Sequence, residues 1–190
     1  MLSHIRTALE QMGKDKLPDR SGQSLAFEAM WRGLPRDGLV PQRSSFRPEL
    51  AAKMLANLVL LEVRLGATTT TRIRLVGGVL RDLVGANVTG LDYLALVPDK
   101  DHQSGYLRRC LMHPCASWAA SPIEYERGYT GLFEITSFPL AGEEAGQYFS
   151  LAYVYEFGSA EPGHASIGGP VEVKPAVARR YIDIGAGIPD

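Results

Sequence analysis

The sequence predicts an α+β fold: a five-stranded antiparallel sheet with short helices on one face and a flanking helix at the N-terminus. Three observations predict it. The strand-like runs cluster instead of alternating with helices, in the order helix, two strands, short helices, one longer helix, three strands. The first two runs, 57–64 and 71–76, are joined by a short Gly-Ala-Thr connection that suits a hairpin. In Arg72-Ile73-Arg74-Leu75-Val76, charged and apolar residues alternate, so one face of that strand is wet. The strands of a doubly wound parallel sheet are apolar on both faces.

Each element follows in order. Residues 1–22 are polar and read as a mobile arm; residues 23–55 form an N-terminal helical flank. Its helix starts from Ser24 as N-cap, with Glu28 in the first turn. Phe27, Met30, Trp31 and Leu34 fall on one helical face, and Gly33 is a natural stop. Pro35-Arg36-Asp37-Gly38 is a turn sequence, and Pro48-Glu49 opens a short second helix. The core, 56–157, begins with the hairpin and continues through short helical pieces at 78–84 and 91–96. Asp99 caps a longer helix on which Tyr106, Leu107, Cys110 and Leu111 share a face. Arg108 and Arg109 sit near its C-terminus, where the helix dipole favours positive charge. His113 precedes Pro114, so the helix ends there. Strands follow at 115–125, 129–140 and 147–157, the last two separated by Gly142-Glu143-Glu144-Ala145-Gly146. Residues 158–190 read as a Gly/Pro-rich tail with one short ordered segment around Arg179-Arg180-Tyr181.

The adjacent Gly77 and Gly78, between a strand and a helix, raise the question of a nucleotide-binding turn. A dinucleotide site needs Gly-x-Gly-x-x-Gly, and a P-loop needs Gly-Lys-Ser/Thr. Neither pattern occurs. The glycines instead let the chain leave the sheet and turn at close quarters.

The 190 residues are 45% hydrophobic and 22% charged, enough for a buried core, and the formal net charge is −1. That balance gives no broad attraction for nucleic acid or anionic membrane, and no helix-turn-helix pattern occurs. The apolar runs are too short to span a bilayer, and the N-terminus lacks the pattern of a signal peptide, so a cytoplasmic protein is expected. The two cysteines make no disulfide framework.

Three segments, 31–50, 55–63 and 72–90, resemble successive motifs of a bacterial PAS-domain family. The residues that carry the resemblance are Trp31, Arg32, Leu34, Pro35, Pro41, Arg43, Ser44 and Pro48, then Arg74, Leu75 and Gly77, then Gly85, Asn87, Thr89 and Gly90. It covers about 26–157, with Gly78 where such sequences often have Thr and Asn87 where Asp is common. The resemblance implies a sensory or interaction module whose sheet and short helices enclose a pocket. It also implies dimerisation through the outer sheet face or flanking helices, and signalling through a partner protein.

Strand parity supplies pocket candidates. With Ile73 and Leu75 taken as inward, Val59, Leu61, Trp118, Phe133 and Ile135 join them, with Leu83, Leu107 and Leu111 from the helices. The strand at 147–157 is apolar on both faces, and Phe149, Leu151, Tyr153 and Tyr155 need a cover. Either a second copy or the helix carrying Phe27, Met30 and Trp31 supplies it. A small apolar ligand is consistent with the pocket, and no haem or flavin motif names a cofactor. His102 and His113 lie about 16 Å apart along their helix and cannot grip one iron together. Cys110-x2-His113-x-Cys115 is a weak metal spacing that lacks a fourth ligand. Glu124 and Glu126 read as a wet strand edge; Glu134, among apolar neighbours, either hydrogen-bonds a ligand or, the favoured reading, points outward. With no recognisable nucleophile setting, a non-catalytic sensor is expected. The alternative is a small isomerase- or dehydratase-like enzyme using the same pocket.

Overall fold

The computed structural model describes residues 19–97, 99–125, 130–157, 170–174 and 176–189. Among the described residues, three α-helices, α1 (Gly22–Arg32), α2 (Gly78–Val84) and α3 (Lys100–Met112), accompany seven strands. These are β1 (Leu58–Leu65), β2 (Thr69–Val76), β3 (Ala116–Tyr125), β4 (Thr130–Ala141), β5 (Gln147–Glu156), β6 (Pro170–Val173) and β7 (Ala178–Ile182). Short 3-10 turns at Arg43–Ser45, Pro48–Ala51, Leu55–Asn57 and Tyr93–Ala95 fill the connections.

The sheet runs β2-β1-β5-β4-β3, all antiparallel, and β6 and β7 both pair with β3's outer edge. The five expected strands are present within about two residues of their expected ends. The last two arise from the segment read as a tail. Ala178 is buried, and Arg180 lies over the Trp118 ring at 4.4 Å, which gives that segment side-chain anchors as well as ladder bonds. Residues 1–18 of the expected arm and 158–169 of the expected tail lie outside the described residues.

Each helix ends where its sequence can satisfy the free backbone groups. The N-cap of α1 is Ser21 rather than Ser24, its hydroxyl accepting the Ser24 N–H at 3.0 Å. Ser24 is fully buried and bonds Thr136 at 2.6 Å, so it ties the helix to β4 instead of starting it. Asp99 caps α3 through the His102 N–H at 3.1 Å. Gly85 ends α2 in the left-handed region at φ 71°, which glycine adopts without strain. Of the double glycine, only Gly77 is required by close approach: a Cβ there would lie 2.3 Å from the carbonyl oxygens of Leu55 and Ala56. Gly78 faces open space, its nearest neighbour being Arg81 at 3.9 Å.

The sheet separates two cores. On one face, α2, α3 and the Tyr93–Ala95 turn cover Leu61, Val63 and Ile73, then Ile123 and Phe133. On the other, α1 lays Phe27 and Trp31, both fully buried, onto Leu58, Leu60, Phe138, Leu140, Leu151 and Tyr153. Phe27 packs edge-on to Phe138 and stacked on Tyr153, each with centroids 5.6 Å apart, and Trp31 donates its indole N–H to the Pro139 carbonyl at 2.9 Å.

Two residues lie on the opposite face from the one parity assigned. The β1–β2 register passes from Leu61↔Ile73 to Leu60↔Leu75, so Arg74 is a bulge. The extra residue breaks the alternation, and Leu75 joins the core under α1 while Ile73 stays on the α3 side. Trp118 pairs with Thr136 and its indole meets Glu134, which puts it too on the α1 side, away from Phe133. Glu134 itself does not reach solvent; it is 1% exposed.

Candidate functional site

Three places bring chemically capable groups together. The first is the interior between α3 and the sheet, where a pocket was expected. Val59, Leu61, Ile73, Leu83, Leu107, Leu111 and Phe133 all lie on this side, in two adjoining apolar clusters. Ile135 pairs with Ala119 on the same side and is half-buried. Within each cluster they pack against one another. A space of about 20 Å3 under α3 is bordered by Tyr106, Cys110, Cys115, Ser117, Ser137 and Ser150. That is room for a single water molecule. The Tyr106 hydroxyl is buried there, and burial pushes its pKa up. The Cys110 and Cys115 thiols hydrogen-bond each other, which together with burial pushes Cys110 up. His113 is exposed, so it does not converge on the two thiols; among the described residues no cluster of three such side chains is poised for a metal. His102 accepts from Arg179 at 2.8 Å on the surface, and Arg179 in turn lies 4.3 Å over the Tyr106 ring.

The second is a buried carboxylate at the start of α1. Glu134 accepts the Ser21 backbone N–H at 3.0 Å, the Ser21 hydroxyl and the Trp118 indole N–H. A short polar side chain at the helix cap, an indole on the neighbouring strand and a carboxylate between them form one network on the α1 side of the sheet. Arg20 extends it, bonding the Ser24 carbonyl and side chain and pairing with Glu28 at 2.5 Å. Phe149, Leu151, Tyr153 and Tyr155, with Met30, belong to the same covered face. The helix of the chain itself, therefore, occupies the surface for which a second copy was the other candidate.

The third, which strand parity did not single out, is a cleft of about 700 Å3 beyond α1 on the outer face of β1, β2 and β5. Its floor is Leu60 and Phe149, and its walls carry Arg43, Arg64, Arg72 and Arg74 against Glu62, Glu143 and Glu144. Glu62, nearly buried, accepts from Gln147 at 2.9 Å and Arg64 at 3.2 Å, with Arg74 at 3.8 Å. The Gln147 amide and the two guanidiniums hold its carboxyl below the usual range, against the upward push of burial. Arg64 also pairs with Glu144 at 2.8 Å. Arg43 is half-buried near the Phe46 and Phe149 rings, 5.7 Å and 5.9 Å from their centroids, and donates to the Phe46 carbonyl at 2.9 Å. Burial and the like charge of Arg74 push its pKa down. The signal that could have found this cleft is cross-strand: once the hairpin is accepted, Glu62 falls opposite Arg72 and Arg64 opposite Thr70.

No helix among the described residues is long and apolar enough to cross a membrane. A family model described as a PAS domain matches residues 17–148, from just before α1 to the start of β5. No curated protein matches the chain.

Proposed function

Because the chain belongs to the PAS-domain family, we propose that it is a non-catalytic signalling module that relays through contact with a partner protein, not through a cofactor held in its core. What supports this is the packing under α3. Pockets that hold small organic ligands measure about 300–1,000 Å3, and the space between Tyr106, Cys110 and Cys115 is about 20 Å3. Filling it are Leu61, Ile73, Leu107 and Leu111, large apolar side chains that a ligand would have to displace. A homodimer, the assembly expected from the sequence, would have to use a surface other than the one α1 already covers.

The test is a native mass spectrum of the freshly purified full chain beside its denatured mass. Equal masses, apart from any multiple for self-association, are expected. A stoichiometric small-molecule adduct released on denaturation would replace the partner relay with a ligand-occupied sensor and give that ligand's mass.

A further inference from the structure

We propose that the outer cleft docks an extended, carboxylate-bearing segment of a partner protein; this rests on the partner-relay reading above and names the surface it uses. The cleft is of ligand size and built around excess positive charge at one end. There Arg43, Arg72 and Arg74 face the single carboxylate of Glu62, which Arg64 and Gln147 already engage. Among the described residues no carboxylate lies within ion-pair distance of Arg43 or Arg72. Arg74 shares Glu62 at 3.8 Å, which leaves Arg43 and Arg72 as guanidiniums that favour an added carboxylate, whose two oxygens match their paired donors.

The cleft is also preorganised. Arg43 is fixed by its bond to the Phe46 carbonyl and by two aromatic rings. Arg72 and Arg74, two apart on β2, both line the cleft, and the bulge at Arg74 turns Leu75 into the core beside it. The β2 wall from Thr70 to Arg74 is about 13 Å long, the span of about four residues of extended chain. Leu60 and Phe149 between the charges offer an apolar floor for one aliphatic side chain. The opposite end is closed by the Arg64–Glu144 pair and the exposed Glu143. That acidic lip sets the direction of the segment, with its carboxylates at the arginine end.

The experiment is fluorescence anisotropy with the full-length protein and a labelled Glu-Leu-Glu-Glu peptide, against Lys-Leu-Lys-Lys. The acidic peptide is expected to bind and to weaken with added salt. Arg72→Ala/Arg74→Ala, both on exposed side chains, should weaken it by about tenfold or more. Arg81→Ala, which removes an exposed cation on α2, should leave it unchanged. Absence of acidic-peptide binding, or equal losses in both variants, would overturn the proposal. So would salt-sensitive self-association abolished equally by the arginine variant and by Glu143→Lys/Glu144→Lys, since the occupant would then be a second copy. The mass spectrum reads the core and the anisotropy reads the cleft, so either idea can fail while the other stands.

Discussion

Replacing Glu134 separates the two things its carboxylate does, accepting hydrogen bonds and carrying charge. Glu134→Ala leaves the Trp118 indole N–H, the Ser21 amide and the Ser21 hydroxyl without their acceptor. An orphaned buried donor costs about 1–3 kcal/mol. Trp118 is fully buried, and its indole cannot turn to water. The sum, reduced by relief of the carboxylate's own desolvation, comes to about 3–5 kcal/mol. Glu134→Gln is nearly isosteric. Its amide oxygen takes the two bonds now made to Oε1, and its nitrogen donates to the Ser21 hydroxyl, so the loss of charge assistance should cost about 1 kcal/mol.

Urea unfolding followed by tryptophan fluorescence measures both, because Trp31 and Trp118 are buried and report on this side of the sheet. Hydrogen exchange adds the location: in Glu134→Ala, amides of α1 should lose protection before those of β1 and β5, whose ladders the change does not touch. Equal, small costs for the two variants would mean that the donors find other acceptors. Equal, large costs would mean that negative charge, not bond count, holds the helix. Either result refutes the accounting. In a double-mutant cycle, Glu134→Leu with Trp118→Phe should cost less than the sum of the single changes, because donor and acceptor leave together.

Other outcomes follow from neighbouring parts of the fold. Gly77→Ala should cost more than about 3 kcal/mol or abolish soluble expression, since the new methyl meets two backbone carbonyls; Gly78→Ala next to it should be neutral or stabilising by up to about 1 kcal/mol, and thermal melts of the pair check the contrast. Trp31→Phe removes the bond to the Pro139 carbonyl and weakens the stack under Arg36, 4.4 Å from the ring, for a loss of about 1–2 kcal/mol in urea. Glu62 has a lower pKa folded than unfolded, so its stabilisation is present at neutral pH and is lost as the pH falls through the ordinary glutamate range toward the folded value. Glu62→Gln should therefore be less stable than the wild type at pH 7 and lose less on acidification, measured by melting temperature against pH.

The parts of the fold that depend on local pattern were legible. Alternation and turn residues placed β1 to β5, Asp99 announced the cap of α3, and the spacing of Phe27 and Trp31 named the buried face of α1. What was not legible depends on partners far along the chain. Ser21 wins the cap over Ser24 because Glu134, distant in sequence, takes its hydroxyl and amide while Thr136 takes Ser24. Glu134 looked like an outward charge because nothing nearby in sequence offers it a donor. A one-residue bulge at Arg74 moved Leu75 to the other core, and inter-strand register is the only record of it. The cleft stayed hidden because its wall arginines belong to three separate segments.

Both β2 and β3 have their outer sides engaged in part. On β2, Ile73 exchanges backbone bonds with the Gly90–Leu91 segment, at 2.7 Å and 2.9 Å, and on β3 the outer bonds go to β6 and β7. An uncovered edge strand is a template on which another chain can add in register, the first step toward strand-mediated aggregation. Here the protein's own sequence takes part of that template, on one side with a loop at Ile73 and on the other with β6 and β7 along β3. Strand addition at β3 is thereby pre-empted, and on β2 it would have to displace the loop held at Ile73.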